Sequence, residues 1–159
     1  MKFLILALLA LSPAAYADNS YPSPDGKFIA QVQSEKNNEI FVTLSTKAGK
    51  ALAQINLLSQ DSEHGRTLAK AAWSKDSRYF VFTTESSGGH SPWHDSAYFY
   101  SRSSETFRSL DDRSGVSVAS DNFSIDNADV LHFQAYNFGT QTPEPASISM
   151  PHLENQRNP

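Results

Sequence analysis

Three stretches decide the fold: Ser23-Pro-Asp-Gly-Lys-Phe-Ile-Ala30, Ser74-Lys-Asp-Ser-Arg-Tyr-Phe-Val81 and Ser124-Ile-Asp-Asn-Ala-Asp-Val-Leu131. Their serines stand 51 and 50 residues apart, the mark of one structural unit used three times. In the first copy Pro24 and Gly26 suit the two central positions of a tight turn, and the Asp25 side chain can satisfy amides left free there. The apolar run after each turn then enters a sheet from a fixed direction.

Working outward, Lys27–Gln33 and Glu39–Ser45 are short runs rich in β-branched and aromatic residues. The polar cluster Ser34–Asn38 between them makes a hairpin, and the turn Thr46–Lys50 leads into Ala51–Leu57. Ile40, Val42 and Leu44 alternate with Phe41, Thr43 and Ser45, the period of a strand with one buried face. The second unit repeats this plan with Ala71–Trp73, Tyr79–Thr84, Ala97–Ser101 and Thr106–Leu110. The third keeps Val116–Ala119, Val130–Gln134 and Ala146–Met150. Tyr79, Phe80, Phe82, Tyr98, Phe99 and Tyr100 suit a sheet core, half of them buried by alternation. Leu58–Lys70 reads as a loop.

A Ser-Pro-Asp-Gly turn followed by a basic residue and an apolar run resembles the WD40-like repeat of the TolB and prolyl-oligopeptidase propeller families. The likeness covers roughly residues 20–135, and the Trp73-Ser74 and Phe123-Ser124 pairs match the aromatic that precedes the turn in that repeat. The resemblance implies an all-β, antiparallel meander of propeller-blade-like repeats. Three units are too few for a closed ring of four to eight blades, so an open or sandwich-like arrangement is expected. Two open sheet edges then invite pairing with another chain; a compact monomer with covered edges is the leading expectation, and a homodimer closing a six-bladed ring is the alternative.

Met1-Lys-Phe, the apolar run Leu4–Leu11 and Ala15-Tyr-Ala17 have the three parts of a secretory signal peptide cleaved after Ala17. The expected organisation is therefore a signal peptide (1–17), a single domain (18–150) of three repeats (21–65, 70–115, 116–150) and a polar tail (151–159). The chain has no cysteine, which fits a bacterial periplasmic or secreted protein without disulfides, and no integral membrane segment is expected after cleavage. In that compartment the sequon Asn122-Phe-Ser124 is accidental. The net charge of −4, one unit lower once Lys2 is removed, argues against nucleic acid or an anionic membrane as partner.

One loop carries residue types suited to a site. Glu85-Ser-Ser-Gly-Gly-His-Ser-Pro-Trp-His-Asp95 interrupts a short hairpin, where function tends to sit. His90, Trp93, His94 and Asp95 are the candidate contacts for a ligand or partner. His90 and His94 are candidate metal ligands, joined by Glu63 or His64 if the preceding loop lies on the same side. Pro92 opposes the helix that would align two histidines four residues apart, so simple packing is favoured over both readings. The segment also resembles one found in small exported proteobacterial proteins, a likeness that implies no mechanism. Asp111-Asp112 reads as a solvated turn. Neither a Gly-x-Ser-x-Gly elbow nor a His-Glu-x-x-His helix is present. The leading expectation is an exported binding or scaffolding module without catalysis or cofactor, whose protein or small-ligand partner the sequence does not name. The alternatives are a protein or enzyme using a divalent metal, and a subunit that completes a larger propeller.

Overall fold

A computed structural model describes residues 18–89 and 95–156. The repeated turn is a closed set of five hydrogen bonds. The Ser23 amide donates to the Phe28 carbonyl (2.9 Å), and the Phe28 amide donates to the Ser23 hydroxyl (3.0 Å). That hydroxyl donates to Asp25 Oδ1 (2.7 Å), which also accepts from the Lys27 amide (3.1 Å), while the Gly26 amide donates to the Ser23 carbonyl (2.8 Å). The second copy reproduces all five with Ser74, Asp76, Ser77, Arg78 and Tyr79 at 2.8–3.0 Å. Loss of Pro and Gly there is tolerated because Ser77 adopts the positive φ of Gly26, 66° against 67°.

The third copy is phased differently from the sequence expectation. Ser124 is exposed within a two-residue strand, and Asp126 opens the turn instead. Its Oδ1 accepts from the Ala128 amide (2.8 Å) and the Val130 amide (3.0 Å), combining the roles of serine and aspartate in a turn one residue shorter.

These turns join three antiparallel sheets. Sheet 1 holds β1 (Asp18–Pro22), β2 (Phe28–Ser34), β3 (Ile40–Thr46) and β4 (Ala51–Asn56) in sequence order. Sheet 2 holds β5 (Arg66–Trp73), β6 (Tyr79–Ser86), β7 (Ser96–Ser101) and β8 (Thr106–Ser109). Sheet 3 is ordered β11 (Thr142–Ser149), β10 (Val130–Asn137), β9 (Ser124–Ile125). No ring closes them among the described residues, so the fold is the open all-β one expected.

Sheet 2 is the middle layer. Phe80, Phe82 and Tyr100 pack with Ala30, Val32, Ile40, Val42 and Leu44 of sheet 1, whereas Tyr79, Val81, Ala97 and Phe99 pack with Leu131 and Phe133 of sheet 3. This two-sided burial is why five of the six aromatics that alternation would half expose are buried, Tyr98 being half-buried. The repeat fixes the equivalences, since Phe28, Tyr79 and Val130 each take the closing bond of their turn. Gln31 then stands where sheets 2 and 3 have Phe82 and Phe133, and His132 stands where sheets 1 and 2 have Ala30 and Val81. Gln31 and His132 are exposed and the other four are buried, so the two outer faces are finished for water, as the terminal units of a repeat stack must be.

Three further expectations are corrected. The strand placed at Ala71–Trp73 begins at Arg66, shortening the loop before it. Asp111 and Asp112 form the first turn of a helix, α1 (Leu110–Ser114), with Ser109 Oγ accepting from the Asp112 amide (3.2 Å). The polar tail is helical over most of its described part: α2 (Met150–Asn155) buries Met150 and Leu153 in the core, which a tail at 151 would forfeit.

Every turn that opens β2, β6 or β10 lies at one end of the stack, where the turns are tied to one another. The Asp25 amide donates to Ser77 Oγ (3.0 Å), Arg102 pairs with Asp25 (2.8 Å), and Arg78 bonds both Asp76 and Asp129. The opposite end collects the longer connections at 57–65, 87–95 and 110–123, together with the hairpin at 137–142.

Replacing Ser74 with Ala leaves the buried Tyr79 amide unpaired and is expected to lower stability by about 1–3 kcal/mol. Ser124→Ala is expected to change it by less than about 0.5 kcal/mol, and Asp126→Ala to be the more damaging change in the third turn. Urea unfolding of the three variants checks both the role of the serine and the phase of the third copy.

Candidate functional site

At the loop end, the polar turn Glu35–Asn38 delivers Glu39 to the start of β3 with its side chain pointing inward. Glu39 is 1% exposed. Its Oε2 accepts from the Ser59 amide (2.7 Å), and its Oε1 accepts from the Ser59 hydroxyl (2.7 Å), the Gly65 amide (2.9 Å) and the Ser87 hydroxyl (2.7 Å). Burial pushes this carboxyl up, but the donors from Ser59, Ser87 and Gly65 outweigh it and bring the pKa down to about 2. At neutral pH the group is therefore a sealed anion, already saturated with donors and unsuited to proton transfer.

The carboxylate joins three segments. Ser59 and Gly65 belong to the 57–65 connection, and Ser87 opens the 87–95 connection, where its amide also donates to the Gly65 carbonyl (3.1 Å). A Cβ on Gly65 would lie 2.2 Å from Glu39 Cδ, so only glycine admits this approach. The far root of the 87–95 connection is held by sheet 3, with the Asp95 amide donating to the Val118 carbonyl (3.0 Å). Val118 itself bridges to Ala135 of β10.

Of the residues singled out in the sequence, His90, Trp93 and His94 lie outside the described residues. Asp95 is half-buried at the loop root. The connection that carries Glu63 and His64 shares the Glu39 anchor with Ser87, at the base of the 87–95 connection. His64 Nδ1 lies 2.5 Å from Asp61 Oδ2 on the surface, and Asp61 Oδ1 accepts from the Glu63 amide (3.0 Å) and the His64 amide (3.2 Å). The Glu63 amide first, then His64, hold the Asp61 carboxyl well below the usual range. No group of three or more His, Cys, Asp or Glu side chains suited to hold a metal occurs among the described residues.

Glu39, Ser59, Gly65 and Ser87 escaped the sequence reading. Glu39 looks like the first residue of a solvated strand, and its partners lie up to 48 residues away. The one usable signal was Gly65, a glycine next to a strand where backbone comes close to another group.

No protein-family model matches the chain, and no curated protein sequence matches it. Among solved structures, a protein from Clostridium novyi provisionally described as a conserved lipoprotein is similar at 14% identity and a TM-score of 0.51, over 89% of this chain and 92% of that one. A protein from Bacteroides uniformis provisionally described as a 6-phosphogluconolactonase aligns at 15% identity and a TM-score of 0.43, over 84% of this chain and 41% of that one. At such identities the first likeness bears on the fold alone.

Because the Glu39 carboxyl ionises more readily folded than unfolded, its stabilisation is present above the ordinary carboxyl pKa of 4.5 and lost as pH falls toward about 2. Glu39→Gln is expected to lower stability at pH 7 by about 1–3 kcal/mol. The gap to the parent should narrow below pH 5 in thermal melts recorded along a pH series. Gly65→Ala is expected to destabilise at every pH, since its clash is steric.

Proposed function

We propose that the protein is an exported, non-catalytic binding module that meets its partner with the loop end of the sheet stack. The supporting observation is the Glu39 brace. A desolvated carboxylate is an expensive anchor, and among the described residues its donors come from the roots of two long connections, the places where binding residues are usually carried on a rigid scaffold. The candidate contacts His90, Trp93, His94 and Asp95 are carried by one of those connections. Export rests on the leader-like residues 1–17, with which two observations are compatible: no helix among the described residues is long and apolar enough to cross a membrane, and the Clostridium novyi protein is described as a lipoprotein. The WD40-like resemblance supports reading the stack as a short array of related repeats. The polar outer faces at Gln31, Gln33, His132 and Gln134 weigh against a subunit that completes a larger ring.

A photo-crosslinking amino acid placed at the exposed loop-end positions Asn37, Gln60 and Gly88, and at the exposed turn-end positions Lys27, Lys75 and Asn127, tests this in the producing cell. Adducts of discrete mass are expected from the loop end alone and should be lost when His90, Trp93 and His94 are all changed to alanine. Adducts confined to the turn end, or unaffected by the triple change, would overturn the proposal.

A further inference from the structure

The three sheets have six edge strands, and five of them are guarded against pairing with another strand. In β1, which ends at Pro22, the Tyr21 carbonyl accepts from the Trp73 indole (2.9 Å). Strand β5 carries Arg66 and Lys70 and bridges to Glu39 through Thr67. Strand β8 has four residues, includes Arg108 and runs directly into α1, while β9 has two residues. Strand β11 contains Pro143, Glu144 and Pro145. Proline, charge, shortness and a covering side chain are the usual means of blunting an edge.

Among the described residues strand β4 has none of these four, and its one edge-blunting feature is a bulge at Leu52, near its start. Ala51-Leu-Ala-Gln-Ile-Asn56 has six residues with neither a charge nor a proline, and a shallow trough of about 240 Å³ runs along Ala51–Gln54. Its register with β3 shifts only at Leu52, leaving Ala53–Asn56 in regular pairing with Leu44–Phe41. Such a strand is a template for one more strand.

We propose that β4 pairs antiparallel with β4 of a second copy of this chain, making one continuous eight-stranded sheet. The sequence of the edge favours its own copy. A two-fold axis perpendicular to the sheet requires opposed residues to point to the same face, which an axis through Gln54 satisfies. Gln54 then stands opposite Gln54 of the second copy, where each side-chain amide has both a donor and an acceptor for the other. Ala53 stands opposite Ile55 of the second copy, and both residues already pack against the apolar cluster between sheets 1 and 2, so the pairing extends an existing apolar layer. No like charges meet. This contact lies along the side of the stack and is independent of the loop-end surface proposed above, and it covers an edge without the face-to-face ring closure that the polar outer faces oppose.

Light scattering and native mass spectrometry of the mature chain, from micromolar to near-millimolar concentration, are expected to show the mass doubling as concentration rises. Gln54→Lys places two ammonium groups opposite each other on an exposed position, so the fold should be kept and dimerisation weakened roughly tenfold or more. The chain has no cysteine, so Gln54→Cys supplies a unique thiol that should form an interchain disulfide at the two-fold axis under mild oxidation. A monomer at every concentration overturns the proposal and leaves the edge to a strand from a different protein. A dimer that survives Gln54→Lys, or one in which Gln54→Cys fails to crosslink, overturns it as well.

Discussion

The central strands of sheet 2, β6 and β7, have almost no face left for water, and most of the structure follows from that constraint. A strand buried on both sides cannot alternate between apolar and polar residues, so β6 reads Tyr-Phe-Val-Phe-Thr-Thr and its first six residues are all buried. The two threonines at the end of this run survive burial because each hydroxyl has a carbonyl to donate to: Asp121 for Thr83 (2.9 Å) and Ser96 for Thr84 (3.1 Å). Sheets 1 and 3 are then free to turn polar faces outward. Enclosing the centre of one sheet on both faces is what allows a short chain to hold an open stack together without closing a ring.

Enclosure must also be sealed along the sides, which is the work of the two short helices. Leu110 from α1 and Met150 and Leu153 from α2 are fully buried beside Tyr79 and Phe99. A one-turn helix has little stability of its own, so α2 is held by what it docks on. The Glu154 carboxylate accepts hydroxyl bonds from Tyr79 (2.9 Å), Ser101 and Ser103, while Arg108 donates to the Glu154 carbonyl (2.9 Å). Burial raises the Glu154 carboxyl, and the hydroxyls of Ser101, Ser103 and Tyr79 more than offset it. The helix α2 is thus a part of the core with a polar latch.

The sequence carried the architecture well and the site poorly, for one physical reason: local patterns are printed in consecutive residues and long-range anchors are not. The Ser-x-Asp turn is legible because all five of its bonds fall within six residues, and it survived the loss of Pro24 and Gly26 in the second copy. The third copy was read out of phase because aspartate can do the work of serine there, so the conserved chemistry sits on a different letter. The helix α2 was missed because six residues holding a proline at the first turn and only two core side chains show no periodicity. Glu39 was invisible for the opposite reason. Nothing near it in the chain says that Ser59, Gly65 and Ser87 will converge on its carboxylate.

The two ends of the stack use charge in different ways, and the difference bears on what each end can do. At the turn end, anions meet cations: Asp25 with Arg102, and Asp76 and Asp129 with Arg78, whose guanidinium spans two neighbouring turns. Apart from buried Asp129 these groups are at least partly exposed, so their energies are modest and screened by salt, and they mainly fix the relative setting of turns that are already closed by their own hydrogen bonds. At the loop end, a fully buried anion meets neutral donors alone among the described residues, each of them at the root of a connection between strands. A cation opposite Glu39 would neutralise it and leave the connections unheld, whereas serine hydroxyls and glycine amides transmit the hold to the backbone. The hold that Glu39 exerts at the loop end therefore requires a carboxylate that is ionised, dry and matched to glycine at position 65, a demand that the ion pairs of the turn end do not make.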